Sequence, residues 1–145
     1  MTTTLIERPQ AGACARRGEG PSIRAFEEGD IDPAEFDHEA HVYVAWSYLQ
    51  GYGLLDSIIR FSGALRRLTT KLGVESKYHE TITWFFMMVI AERRTGDARD
   101  DWRIFKAENA DLFNDAGGLL GRYYSKARLD SEAARSRFLL PDPAR

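Results

Sequence analysis

Leu54, Ile58, Phe61, Leu65, Leu68 and Leu72 follow one another at alternating spacings of four and three. Residues three and four apart share a helix face, whereas a strand would send successive side chains to opposite sides. The spacing therefore predicts a helix from about Leu54 to Leu72 with one apolar stripe. Arg60, Arg66, Arg67 and Lys71 fall off that stripe and form its solvated face, and Gly73 supplies the stop. A stripe of this kind needs other apolar faces to cover it, so the rest of the chain must supply helical partners.

Two further stretches do so. From Ile82 to Ala91 the chain is apolar nearly all round, through Trp84, Phe85, Phe86, Met87, Met88, Val89 and Ile90. A helix like that is covered on most sides and belongs at the centre of the fold, with both methionines as core filling. Ser76 is its expected N-cap, which puts His79 in the first turn. The other partner begins at Asp32, a good N-cap, with Pro33 at the first helical position and Glu35 where a capping-box acid would reach back. It is expected to run to about Gln50, ahead of Gly51-Tyr52-Gly53. Phe36, Ala40, Tyr43 and Val44 line one side of it, with Val42, Ala45, Trp46 and Leu49 beside them.

Beyond Asp97 the pattern shortens. Trp102 and Phe105 mark a helix over about Arg99 to Ala107, and Asn109 to Phe113 reads as a turn entering another short helical piece. Gly117, Gly118 and Gly121 weaken a helix that runs on through Tyr123 and Tyr124. Ser131 caps a last short helix from Glu132 to about Phe138, which Pro141 and Pro143 prevent from continuing. No stretch alternates with period two. The predicted fold is all-α, a bundle of three long helices with shorter C-terminal ones. Residues 1–29, rich in interruptions such as Pro9, Gly12, Gly18, Gly20 and Pro21, are expected to be a disordered lead-in to a single helical domain at 30–145.

At 145 residues the chain can bury a core without staples, and 43% hydrophobic against 29% charged residues places it with globular proteins. A net charge of -2 carries no basic footprint, so no nucleic-acid partner is expected. Cys14 is the sole cysteine, which excludes an intramolecular disulfide and a cysteine nucleophile in the folded part. Met1 to Gln10 lacks the apolar run of a signal peptide. The run from Trp84 to Ala91 falls well short of the roughly 20 residues that span a bilayer. The expectation is a cytoplasmic protein without a membrane partner. The wide apolar faces of the first and third helices also suit a homodimer interface.

All three histidines lie in two segments. His38 and His41 are three apart on one helix face, the spacing at which two imidazoles can share a metal ion. In an up-down-up bundle the start of the third helix returns to the same end, bringing His79 toward them. Glu35, Glu39 and Glu80 are nearby carboxylates. Histidines with a carboxylate and an open position are the ligand set of catalytic zinc and non-haem iron sites. This predicts a divalent metal (iron, zinc or copper) on His38, His41 and His79, with Glu39 or Glu80 as acid–base groups acting on a small-molecule substrate. The competing reading makes the histidines structural and the chain a non-enzymatic module that binds a protein or small ligand. The positive partial charge of helix starts favours the second reading, and the acids Asp32, Glu35, Asp37 and Glu39 offset it in part. Ser47 and Ser57 lack the context of a catalytic triad, Gly51-Tyr52-Gly53 is too short for a phosphate loop, and Tyr123-Tyr124-Ser125 reads as core cap or pocket lining.

Phe36-x-His38-Glu39-Ala40-His41, Lys77-Tyr78-His79-Glu80-Thr81-Ile82-Thr83 and Tyr123-Tyr124-Ser125, with Ser131-x-x-Ala134-Arg135-x-x-Phe138-x-x-Pro141-Asp142, together resemble a family of small, largely uncharacterised bacterial helical proteins. The likeness covers about residues 36 to 142. It implies that these stretches form one folded unit, with the C-terminal segment returning over the histidine end and placing Tyr124 or Arg135 near it. It implies no activity.

Overall fold

The structure, a computed structural model, describes residues 19–96 and 101–143. Its elements are α1 (Ile23–Glu28), α2 (His38–Gly51), α3 (Leu54–Lys71), α4 (Glu80–Arg93), α5 (Trp102–Glu108), α6 (Ala110–Asn114), α7 (Ala116–Gly121), α8 (Lys126–Leu129) and α9 (Glu132–Ser136), with 3-10 turns at Pro33–Glu35 and Glu75–Lys77. Among the described residues there is no strand, and the all-α prediction holds. The three long helices α2, α3 and α4 pack on one another, and α9 packs against α4.

The stripe on α3 is buried as its spacing demands at Ile58, Phe61, Leu65 and Leu68, joined by Ser57, Ser62 and Ala64. Leu54 departs from it and is 42% exposed. On α2, Val42, Tyr43, Val44, Ala45, Trp46, Tyr48 and Leu49 are all buried, so neighbours cover it nearly all round. On α4 only Thr81, Phe85, Met87 and Ile90 reach that level, and the remaining apolar residues are partly covered.

Two helix starts differ from expectation. Asp32 caps only the 3-10 turn, its carboxylate accepting from the Ala34 N–H at 3.0 Å, and α2 begins five residues later. Asp37 is the cap that starts it, accepting from the Ala40 N–H at 2.9 Å. Glu35 makes no capping box. Its own N–H closes the turn onto the Asp32 carbonyl at 2.9 Å. Likewise Ser76 sits within the second 3-10 turn, and His79 itself caps α4.

The expected lead-in also begins to fold earlier than residue 30. Ser22 caps α1 and Gly29, at φ 73°, ends it in the left-handed conformation that glycine adopts freely. Phe26 is fully buried and stacks on Phe61, with ring centroids 5.2 Å apart. Burying a side chain of that size contributes about 2 kcal/mol. Glu27 accepts from the buried Tyr48 hydroxyl at 2.7 Å, and Lys71 Nζ donates to the Gly29 carbonyl at 3.0 Å. A six-residue helix is too short to stand alone, so these tertiary contacts hold it. Cys14 and the rest of residues 1–18 lie outside the described residues.

At the other end the C-terminal segment returns to α4. The Thr81 hydroxyl, fully buried, lies 2.7 Å from the Ala134 carbonyl and 2.9 Å from that of Arg137, and accepts from the Leu139 N–H at 3.1 Å. Tyr124 donates to the Leu139 carbonyl at 2.7 Å, and the Asp142 carboxylate accepts from the Ser125 N–H at 2.8 Å. Through its hydroxyl, which accepts from the Arg128 N–H at 3.2 Å, Ser125 also caps α8, a helix the sequence pattern does not announce.

Candidate functional site

The starts of α2 and α4 lie at the same end of the bundle, as the up-down-up topology requires. His38, His41, Ile82, Thr83 and Phe86 line one pocket of about 310 Å³, and the His38 and Phe86 rings meet edge to face at 5.6 Å. Its deeper wall is apolar: Val42 and Ala45 from α2, Phe61 and Leu65 from α3, Met87 and Ile90 from α4. The residues of that wall are buried core residues, so the pocket reaches into the interior between the three long helices.

Within the pocket each histidine is oriented by a backbone carbonyl. His38 Nε2 donates to the Leu112 carbonyl at 2.9 Å. His41 Nδ1 donates to the Asp37 carbonyl one turn back, also at 2.9 Å, and its ring stacks on Phe36 with centroids 4.0 Å apart. Burial holds the His41 pKa below its ordinary 6.5; the bond to Asp37 opposes this and the neighbouring His38 adds to it. His41 is therefore neutral at pH 7, with its proton on Nδ1 and a lone pair on Nε2. Among the described residues Nε2 accepts no hydrogen bond. Of the other polar groups lining the pocket, Asp37 accepts from the Ala40 N–H through Oδ1 and the Thr83 hydroxyl donates to the His79 carbonyl.

His79 is elsewhere. As the N-cap of α4 its side chain must fold back over the first turn, and Nδ1 accepts from the Ile82 N–H at 3.2 Å. Nε2 donates to the Leu129 carbonyl at 2.8 Å. Both ring nitrogens are thus spent, and the ring lines a different pocket, beside Tyr124 and Arg135. That is where the C-terminal segment passes over the histidine end. The predicted convergence of three imidazoles does not occur. Among the described residues no group of three His, Cys, Asp or Glu side chains is placed to hold a metal ion.

The two predicted acid–base groups are also engaged away from the His38–His41 pair. Glu39 accepts from Lys106 Nζ at 2.7 Å on the surface, which ties α2 to α5. The Glu80 side chain, 15% exposed, accepts from the Tyr78 hydroxyl and lies 3.8 Å from Arg66, whose guanidinium covers the Tyr78 ring at 5.3 Å. Burial and the Glu80 carboxylate push the Tyr78 pKa upward, so the phenol stays protonated and keeps donating. This cluster locks the start of α4 to α3.

Sequence spacing missed Phe36 as a partner of His41, and missed Phe61, Leu65 and Phe86 as pocket lining. Nothing distinguishes these apolar residues from ordinary core along the chain. Comparison with known proteins found no matching family model, no matching curated protein and no matching solved structure.

Proposed function

We propose that the chain is a binding module for a small, mostly apolar molecule held between α2, α3 and α4. The observation that carries this reading is His41: a neutral imidazole in the wall of an apolar pocket, its Nδ1 proton committed and its Nε2 open as an acceptor. Ligand sites commonly combine an apolar lining with a few well-placed polar groups. A ligand carrying one O–H or N–H donor satisfies Nε2, which otherwise loses hydration on burial. A cavity of about 150 Å³ accommodates benzene. The 310 Å³ found here suits a molecule of about two fused rings.

Calorimetric titration with 2-naphthol and 2-methoxynaphthalene tests this, since the two differ in the donor. Binding of 2-naphthol at least tenfold tighter, with the advantage lost in His41→Phe, is the expected result. Equal affinities, or none, would sink the reading.

A second reading draws on the carbonyl bonds of His38 and His41. Metal-binding imidazoles are usually oriented this way by a bond from the other ring nitrogen. Here the metal would rest on His38 and His41 without His79. A melting temperature raised by added zinc, copper or iron in the wild type, and unchanged in a His38→Ala, His41→Ala double variant, would favour it over the first.

A further inference from the structure

The pocket beside His79, about 290 Å³, is chemically unlike the one beside His41. Ile82, Leu120 and Leu129 supply apolar wall, and Lys126, Asp130 and Arg135 lie around it. Lys126 and Asp130 pair with each other at 2.7 Å and cancel. His79 has both nitrogens committed, in the neutral tautomer with the proton on Nε2. Arg135 is therefore the uncompensated charge of the lining.

Its position is held from one side. Nη1 donates to the Ser76 carbonyl at 3.1 Å and the Tyr78 carbonyl at 3.4 Å, fixing the guanidinium between α9 and the turn that precedes α4. Among the described residues Nη2 and Nε make no hydrogen bond, so part of the planar fork remains open. A guanidinium fixed in this way loses little entropy when it binds, and its fork matches the two oxygens of a carboxylate or phosphate. A cation would be repelled by it. A neutral apolar molecule would leave its open donors unused.

We infer that this pocket binds a small organic anion, with a carboxylate or phosphate-monoester head on Arg135 and an apolar body against Ile82, Leu120 and Leu129. The site meets the His41 pocket at Ile82, which lines both, and shares no polar side chain with it. A cavity-filling control is available at Gly121. It lines the pocket, its φ lies outside the left-handed region, and a Cβ placed there meets no atom within 4 Å. Gly121→Leu should thus fill the space without disturbing Arg135.

The test is titration of the full chain with benzoate, phenyl phosphate, benzyl alcohol and inorganic phosphate. Benzoate or phenyl phosphate should bind at least tenfold tighter than benzyl alcohol and inorganic phosphate, and the tighter of the two identifies the head group. Both Arg135→Gln and Gly121→Leu should weaken that binding at least tenfold, while His41→Phe leaves it unchanged. If Arg135→Gln does not fold, Gly121→Leu decides alone. Inorganic phosphate binding as well as phenyl phosphate, full affinity in Gly121→Leu, or no binding of either aromatic anion overturns the inference.

Discussion

His41 and His79 stand at the starts of two neighbouring helices in the same bundle, yet they have opposite freedom. His41 lies one turn inside α2, where Nδ1 reaches the Asp37 carbonyl behind it and Nε2 is left at a pocket wall. His79 is the cap residue of α4, so its ring turns back over the helix end and the C-terminal segment takes its other nitrogen. A displacement of a few residues relative to the first helical turn separates an imidazole that can receive a ligand from one that is wholly consumed by the fold. Counting histidines near helix starts cannot make this distinction. The fate of the second ring nitrogen can.

The largest effect expected from this contrast is at Thr81, which fastens the C-terminal segment on the His79 side. Thr81→Val leaves buried carbonyl and N–H groups of residues 134 to 139 without their partner, a loss of about 3 kcal/mol. Urea denaturation should show it, and a loss below 1 kcal/mol would mean that the segment is not a structural clamp. Next comes His79→Ala, which removes a helix cap and strands the Leu129 carbonyl, at a cost of about 2 kcal/mol that added zinc, copper or iron does not alter. By comparison His41→Phe should change stability by less than about 1 kcal/mol, because it keeps the stack on Phe36 and gives up a single partly compensated bond. Reversal of these two results would reverse the assignment of roles.

The smallest expected effect is in the pH dependence. The folded state holds the His41 pKa below 6.5, so the unfolded chain takes up this proton more readily. Stability should therefore decline as pH falls below 6.5 and level off once the folded protein is also protonated, with a slope no steeper than about 1.4 kcal/mol per pH unit. The difference in unfolding free energy between wild type and His41→Phe, followed through that range, isolates the contribution. A flat difference would show that His41 is not held neutral by its surroundings.

The fold was largely legible along the chain because its main signals are local. The four–three spacing of α3, the apolar run of α4 and the caps at Ser131 and Gly73 each act within a few residues. The start of α2 was misplaced because Asp32 and Asp37 both have capping chemistry, and only the turn between them decides which one opens the helix. Helix α1 carried its own weak marks in Ser22 and Gly29, but its six residues persist through Phe26, Glu27 and Gly29 meeting partners far along the chain.

Residue types and sequence neighbourhood drew attention to His38, His41 and His79, and the up-down-up order of the long helices brought the starts of α2 and α4 to one end, with His79 facing a different pocket from the other two. By itself the sequence determined an all-α bundle with its histidines at helix starts, since hydrophobic period and capping chemistry are properties of adjacent residues. Which nitrogens of His38 and His79 are spent was settled by the tertiary packing. That depends on the carbonyls of Leu112 and Leu129, which are 74 and 50 residues away from the rings they hold. A backbone carbonyl is the same group in every residue, so nothing in the sequence marks where it will be needed.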